Sequence, residues 1–137
     1  MFRILTKALV IKDNSFLFLK RSDESKFAKG LWDIPGGKLE FGETLEDSLS
    51  REIFEETKIE TDVKENLAVS TGINLKDKKQ YVSIIYTAEY ISGSIKLDLE
   101  HTDYKWLTIE EAQNYNLVYY VKEALEKYEK FKIEEPL

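Results

Sequence analysis

Three glutamates carry the most pointed chemical signal in the chain. Glu52, Glu55 and Glu56 lie at i, i+3 and i+4, a spacing that puts all three carboxylates on one side of a helix. At 100° per residue, that acidic side overlaps the edge of an apolar stripe made by Leu45, Leu49 and Ile53. The carboxylates should therefore sit at the margin of a packed face, where solvent helps them less. Like charges so spaced cost roughly a few tenths of a kcal/mol on an open helix, and more with partial burial. Only Arg51 is near enough in sequence to offset them. Two readings stay open: a solvated acidic helix face, or a divalent-cation site, whose hard oxygen ligands would select Mg2+, Mn2+ or Ca2+. Just upstream, Gly36 and Gly37 would let the backbone come close to a ligand, and Lys38 follows with a cation. By themselves, Pro35-Gly36-Gly37 read as a turn.

The elements that must position these groups follow from period and punctuation. Arg3 to Lys12 reads as a strand, Asp13-Asn14-Ser15 as a turn and Phe16 to Leu19 as a second strand. Ser22 to Gly30 is a polar loop, and Leu31 to Ile34 a short strand cut off at Pro35. From Thr44 to about Thr57 the period turns helical, with Thr44 and Asp47 as a capping-box variant and Glu46 and Asp47 in the first turn. Leu67 to Leu75, Gln80 to Ile91 and Tyr104 to Leu107 are further strands. A closing helix from about Leu117 to Phe131 carries Val118, Val121, Leu125 and Tyr128 on one face. Strands interleaved with two helices imply an α/β (α+β) chain, a mixed β-sheet flanked by helices.

Composition narrows the function classes. The 137 residues are one domain's worth, 1–137, long enough to bury most of the unfolded surface without staples. There is no cysteine, which excludes disulfides, cysteine-type zinc sites and a thiol nucleophile. A net charge of −6 argues against stable nucleic-acid binding by charge alone. No apolar run approaches a membrane span, and the N-terminus lacks an apolar signal core, so a cytoplasmic address is expected.

Residues 37 to 59 read GKLEFGETLEDSLSREIFEETKI. This string resembles the Nudix box, G-x5-E-x7-R-E-U-x-E-E-x-G-U with U aliphatic. Gly37, Glu43, Arg51, Glu52, Ile53, Glu55, Glu56 and Ile59 fall at the matching positions. The one departure is Lys58, where the family has glycine. That glycine would be a left-handed cap, so a lysine should carry about 1–2 kcal/mol of backbone strain, partly offset by its charge near the helix C-terminus. Arg21 after a strand, Leu31-Trp32-Asp33-Ile34-Pro35-Gly36-Gly37, and Glu100-His101 followed by Trp106 resemble further landmarks of the family.

The resemblance implies an αβα sandwich and hydrolysis of a nucleoside diphosphate linked to another moiety. By position it implies that Glu52, Glu55 and Glu56, helped by the Gly37 carbonyl, ligate Mg2+, with Mn2+ as an alternative. Glu52 becomes the leading candidate for general base, Arg51 orients the carboxylates and Glu43 supports them. Glu100 corresponds to an acidic residue from a separate loop that binds metal or activates water, with Asp98 and Asp103 as neighbours able to substitute. Breaking a P–O–P bridge needs charge neutralisation and a positioned water, which metal ions and a carboxylate base supply. Arg21 and Lys38 are candidate phosphate contacts, with a solvated surface charge as the equal alternative. His101 is expected to be solvated or a neighbour of the ligands rather than a base. Trp32, Tyr81, Tyr119 and Tyr120 are candidates for stacking a nucleobase, against a core role for each.

A nucleoside triphosphate, oxidised or not, split to monophosphate and pyrophosphate, is the first expectation; ADP-ribose and dinucleotide polyphosphates are the alternatives. A non-catalytic nucleotide-binding module is a third reading, opposed by the intact Glu52, Glu55 and Glu56 set. Homodimers are common for this fold, so a second copy of the chain is a candidate partner.

Overall fold

The computed structural model describes residues 1–134; the last three residues of the expected domain lie outside that range. Among the described residues the chain forms β1 (Phe2–Lys12), β2 (Ser15–Arg21), β3 (Trp32–Asp33), β4 (Gly36–Lys38), α1 (Leu45–Thr57), β5 (Glu60–Asn74), β6 (Lys79–Ser92), β7 (His101–Leu107), α2 (Ile109–Ala112) and α3 (Tyr119–Glu134). One seven-stranded sheet runs β3-β2-β1-β6-β5, with β4 also paired to β1 and β7 to β2. Only β1 and β6 are parallel, so the sheet is mixed, as expected.

Apolar residues alternate between the two faces of this sheet. Ala8, Val10, Leu17 and Leu19 pack with Leu49 and Ile53 of α1. Leu9, Phe16 and Phe18 turn the other way, toward Ala112 of α2 and Val121, Ala124 and Leu125 of α3. That is why Ala8-Leu9-Val10 and Phe16 to Leu19 are unbroken apolar runs: both sides are covered. The Leu45–Leu49–Ile53 and Val118–Val121–Leu125–Tyr128 stripes face these two cores.

Several element limits differ from the sequence reading. β5 begins at Glu60 rather than Leu67; it is an edge strand with irregular register around Val63 to Ala68, and its charged outer residues hide the alternation. β7 begins at His101 rather than Tyr104. Pro35-Gly36-Gly37 is not simply a turn, because Gly36 to Lys38 pairs with Leu5 to Lys7. The closing helix starts at Tyr119, because Leu117 bridges Trp32 and the Val118 N–H donates to the Trp32 carbonyl at 2.9 Å. The short α2, with a full capping box from Thr108 and Glu111, was not expected from periodicity.

The pairing pattern opens the sheet where the site lies. β1 and β2 are joined at their hairpin, Ile11 to Phe16 and Lys12 to Ser15. Beyond it, β4 takes the edge of β1 and β3 pairs with β2. Lys7 of β1 and Asp33 of β3 meet in that opening at 3.3 Å.

Candidate active site

Helix α1 presents the acidic groups. Thr44 caps it, its hydroxyl accepting from the Asp47 N–H at 3.1 Å. At the other end Lys58 holds the left-handed conformation (φ 65°) anticipated for this position, its N–H donating to the Phe54 carbonyl at 2.8 Å.

Arg51 organises the cluster. Its Nε and Nη2 donate to the two oxygens of Glu43 at 2.7 and 2.9 Å, a bidentate pair. Nη1 donates to Glu52 at 3.0 Å and to Glu55 at 3.2 Å, and Nη2 reaches the Lys38 carbonyl at 3.3 Å. Glu43 also accepts from the Glu40 N–H at 2.9 Å. The hydrogen bond from Arg51 pulls the Glu43 carboxyl down to about 2, and Glu43 in turn raises the Arg51 guanidinium.

Glu52 and Glu56 behave differently. Burial pushes the half-buried Glu52 carboxyl up despite its bond to Arg51. Glu56 is fully buried and pushed well above the usual carboxylate range, although it accepts from the Gly36 N–H at 2.8 Å. Gly37 is the seat of this arrangement: a Cβ there would lie 2.5 Å from a Glu52 oxygen. Gly36, at φ 133°, leaves no space either, since a Cβ would meet the Thr6 carbonyl oxygen at 2.0 Å. The double glycine lets β4 lie between β1 and the carboxylates.

These groups line one cleft of about 820 Å³. Glu52, Glu56, Gly37, Glu100, Arg21 and Lys38 all reach it. Glu55 does not line it; it is exposed and tied to Arg51. Tyr81 and Tyr119 line the cleft, whereas Trp32 is in the core against Tyr115. Tyr120 is buried at the cleft, its ring edge-on to that of Tyr119 and its hydroxyl donating to Asp33 at 2.7 Å.

Three placements decide between alternatives that the sequence left open. Arg21 is not a solvated charge, because it is mostly buried and bonded to Asp33, Ser25 and the Phe27 carbonyl. His101 is not solvated either. Its ring is buried with Nδ1 2.8 Å from Asp98, and one ligand atom each of Glu56, Asp98 and His101 lie within 4.8 Å of one another. Asp103 pairs with Lys20 in the sheet and does not line the cleft, which leaves Asp98 and Glu100 as the acidic groups near the carboxylates.

Sequence reasoning missed Lys7 and the role of Asp33. Lys7 is buried and donates to Asp33 and Ile34 at 3.3 Å and to the Gly36 carbonyl at 3.0 Å. Burial pushes Asp33 up, but Lys7, the Tyr120 hydroxyl, Arg21 and the Ile34 N–H together hold it below its ordinary value. A lone lysine inside an apolar strand was the available signal. The cleft aromatic Phe27 was also missed, because it sits in a polar loop without periodicity.

The model of the NUDIX domain matches residues 1–128. The chain belongs to the Nudix hydrolase family. An ADP-ribose pyrophosphatase from Methanocaldococcus jannaschii is 33% identical over 93 residues, 68% of this chain and 54% of that relative, so the chain spans about half the relative's length. Nucleoside triphosphatase NudI from Escherichia coli is 28% identical over 124 residues, 84% of this chain and 88% of that protein. Among solved structures, the MutT protein of Methanosarcina mazei superposes with a TM-score of 0.86 at 27% identity, covering 98% of this chain and 96% of that one. The Nudix αβα sandwich is therefore the fold of this chain. No helix among the described residues is long and apolar enough to cross a membrane.

Proposed function

We propose that this Nudix protein is a Mg2+-dependent pyrophosphohydrolase of small nucleotides, splitting a nucleoside triphosphate into the monophosphate and pyrophosphate. The observation that carries the reading is the carboxylate excess at the cleft. Glu52 and Glu56 face it from α1, and one guanidinium is shared among Glu43, Glu52 and Glu55. An all-oxygen set with unbalanced negative charge fits a hard dication. Glu52 and Glu56, which line the cleft, with the Gly37 carbonyl would hold Mg2+, or Mn2+ in its place; Glu100, which lines the same cleft, would join them, and Glu55 would do so only on turning in from Arg51. Bound there, the ion supplies charge neutralisation at the phosphoryl oxygens.

The chain's own residues do the rest. Arg51 fixes the Glu52 carboxylate, and the bidentate Glu43 fixes Arg51. Glu52, whose burial raises its proton affinity, takes a proton from the attacking water. Glu100 is the competing proton acceptor. Water attacks one phosphorus, the P–O–P bridge breaks, and the two phosphate products leave. Lys38 at the exposed rim contacts phosphate oxygens.

Similarity over 84% of this chain to a nucleoside triphosphatase supports the triphosphate. The higher identity to an ADP-ribose pyrophosphatase supports ADP-ribose as a second substrate reading. Chromatographic product analysis of a panel of nucleoside triphosphates, 8-oxo-dGTP, ADP-ribose and a diadenosine polyphosphate, with and without Mg2+, tests both: monophosphate with pyrophosphate from a triphosphate, monophosphate with ribose 5-phosphate from ADP-ribose. Metal-dependent turnover is expected, with Glu52→Gln reducing it and Glu100→Gln separating the two base candidates by pH profile. Binding without turnover across the panel overturns the hydrolase reading in favour of a binding module.

A further inference from the structure

Arg21 and Asp33 are buried charged groups that the proposed chemistry leaves unassigned. Every nitrogen of the Arg21 guanidinium already donates within the protein. Nε reaches the Phe27 carbonyl at 2.7 Å, Nη2 the Ser25 hydroxyl at 2.8 Å and Nη1 the Asp33 carboxylate at 3.3 Å. Ser25 donates to the same Phe27 carbonyl at 2.8 Å. The backbone of Arg21 also closes the base of the loop, donating to the Leu31 carbonyl at 2.9 Å and accepting from the Gly30 N–H at 3.0 Å.

Inside that loop Ala28 has φ 50°, a left-handed conformation that a side chain disfavours. Such a conformation persists where surrounding bonds impose it. The anchor of those bonds is Asp33, fully buried and fixed by Lys7, the Tyr120 hydroxyl and the Ile34 N–H. What the loop delivers is Phe27. Its ring stands 6.2 Å from that of Tyr81 at an interplanar angle of 33°, and both line the cleft that Glu52 and Glu56 share.

We propose that Asp33 and Arg21 are positioning residues that hold Phe27 beside Tyr81 as a wall on which a nucleobase stacks. Arg21 therefore sets affinity for the base and makes no contact with phosphate. This rests on the nucleotide reading above. A stacking wall takes any base by its face, so the loop selects nucleotides over polyphosphates without a base.

The test is a double-mutant cycle read by calorimetric binding to the full chain with Mg2+. The ligands are a nucleoside triphosphate analogue with a methylene bridge between the α and β phosphorus atoms, and inorganic tripolyphosphate. Phe27→Ala and Arg21→Gln should each weaken the nucleotide roughly tenfold, as lost base stacking does. The double variant should weaken it by the same roughly tenfold, because Arg21 acts through Phe27. Tripolyphosphate affinity should stay within about twofold throughout, and Phe27→Tyr should restore nucleotide binding.

Losses that multiply to roughly a hundredfold, or a fall in tripolyphosphate affinity in Arg21→Gln alone, overturn the proposal by making Arg21 a phosphate ligand. Arg21→Lys keeps the charge and loses the fork, so full nucleotide affinity in that variant overturns it too, and covers the case in which Arg21→Gln does not fold. Nucleotide binding by the native chain without turnover defeats the hydrolase reading alone, with the cycle still decisive. No nucleotide binding by the native chain defeats the stacking wall.

Discussion

Two charged clusters flank the Gly36–Gly37 strand, and they are balanced in opposite ways. On the α1 side, Glu43, Glu52 and Glu55 share the single Arg51, and the buried Glu56 stands behind them. On the β1–β3 side, one carboxylate, Asp33, faces two cations, Lys7 and Arg21, plus the Tyr120 hydroxyl. Burial wins over local partners at Glu52 and Glu56 and raises them; local partners win over burial at Asp33 and lower it. The under-compensated carboxylate set is the one on which the proposed cation site rests. An over-compensated one is complete as it stands, and its role is to hold segments in place.

The largest effect should come from emptying the complete cluster. Asp33→Ala leaves Lys7 buried without its carboxylate, and breaking a buried pair in this way costs about 3–5 kcal/mol. Chemical denaturation should show that loss. Stability within 1 kcal/mol of native would show that the cluster does not hold the fold at all.

Glu56→Gln makes the complementary test on the acidic side. Replacing a carboxyl whose burial outweighs its Lys7 and Gly36 partners should leave the metal-free fold at least as stable at neutral pH, while metal-dependent turnover drops at least about a hundredfold. A variant that loses stability and keeps turnover would reverse the contrast between the clusters.

The two clusters also differ in sign with pH. Raised Glu52 and Glu56 contribute stability that is fully present below the ordinary carboxylate range and lost as pH rises through their folded values. Lowered Glu43 and Asp33 contribute stability present above that range and lost as pH falls, toward about 2 for Glu43. Metal-free melting temperatures should therefore decline on both sides of a weakly acidic maximum. Mg2+ at a hundredfold over its Kd should add about 2.7 kcal/mol at neutral pH and far less in acid. A Mg2+ effect that is the same at both pH values would remove the carboxylates from the binding site.

The smallest effect belongs to the end of α1. Lys58→Gly relieves a left-handed residue and should stabilise by about 1 kcal/mol, without altering turnover. A change in turnover would mean that the helix exit also sets the carboxylates.

Much of the first cluster was legible in the sequence. The spacing of Glu52, Glu55 and Glu56, the Thr44 cap, the strained Lys58 and the apolar stripes of both longer helices follow from helix geometry acting over a few residues. Glu55 kept its place on α1 but turned outward, because Arg51 holds it at the surface. β5 was half seen, since an edge strand with charged residues lacks the alternation that a covered strand shows.

The second cluster was not legible, although Asp33 stood in a recognisable string. By itself the sequence determined the local groups: which carboxylates share a helix side, which residues cap it and which faces are apolar. Only the tertiary structure decided that Asp33 meets Lys7, Arg21 and a tyrosine 87 positions away, and that Asp98 and His101 come up against Glu56. Helix and strand periods fix neighbours within a few residues. Contacts between distant segments are fixed by how the layers pack, and here β1 and β2 part beyond their hairpin to bring those segments together.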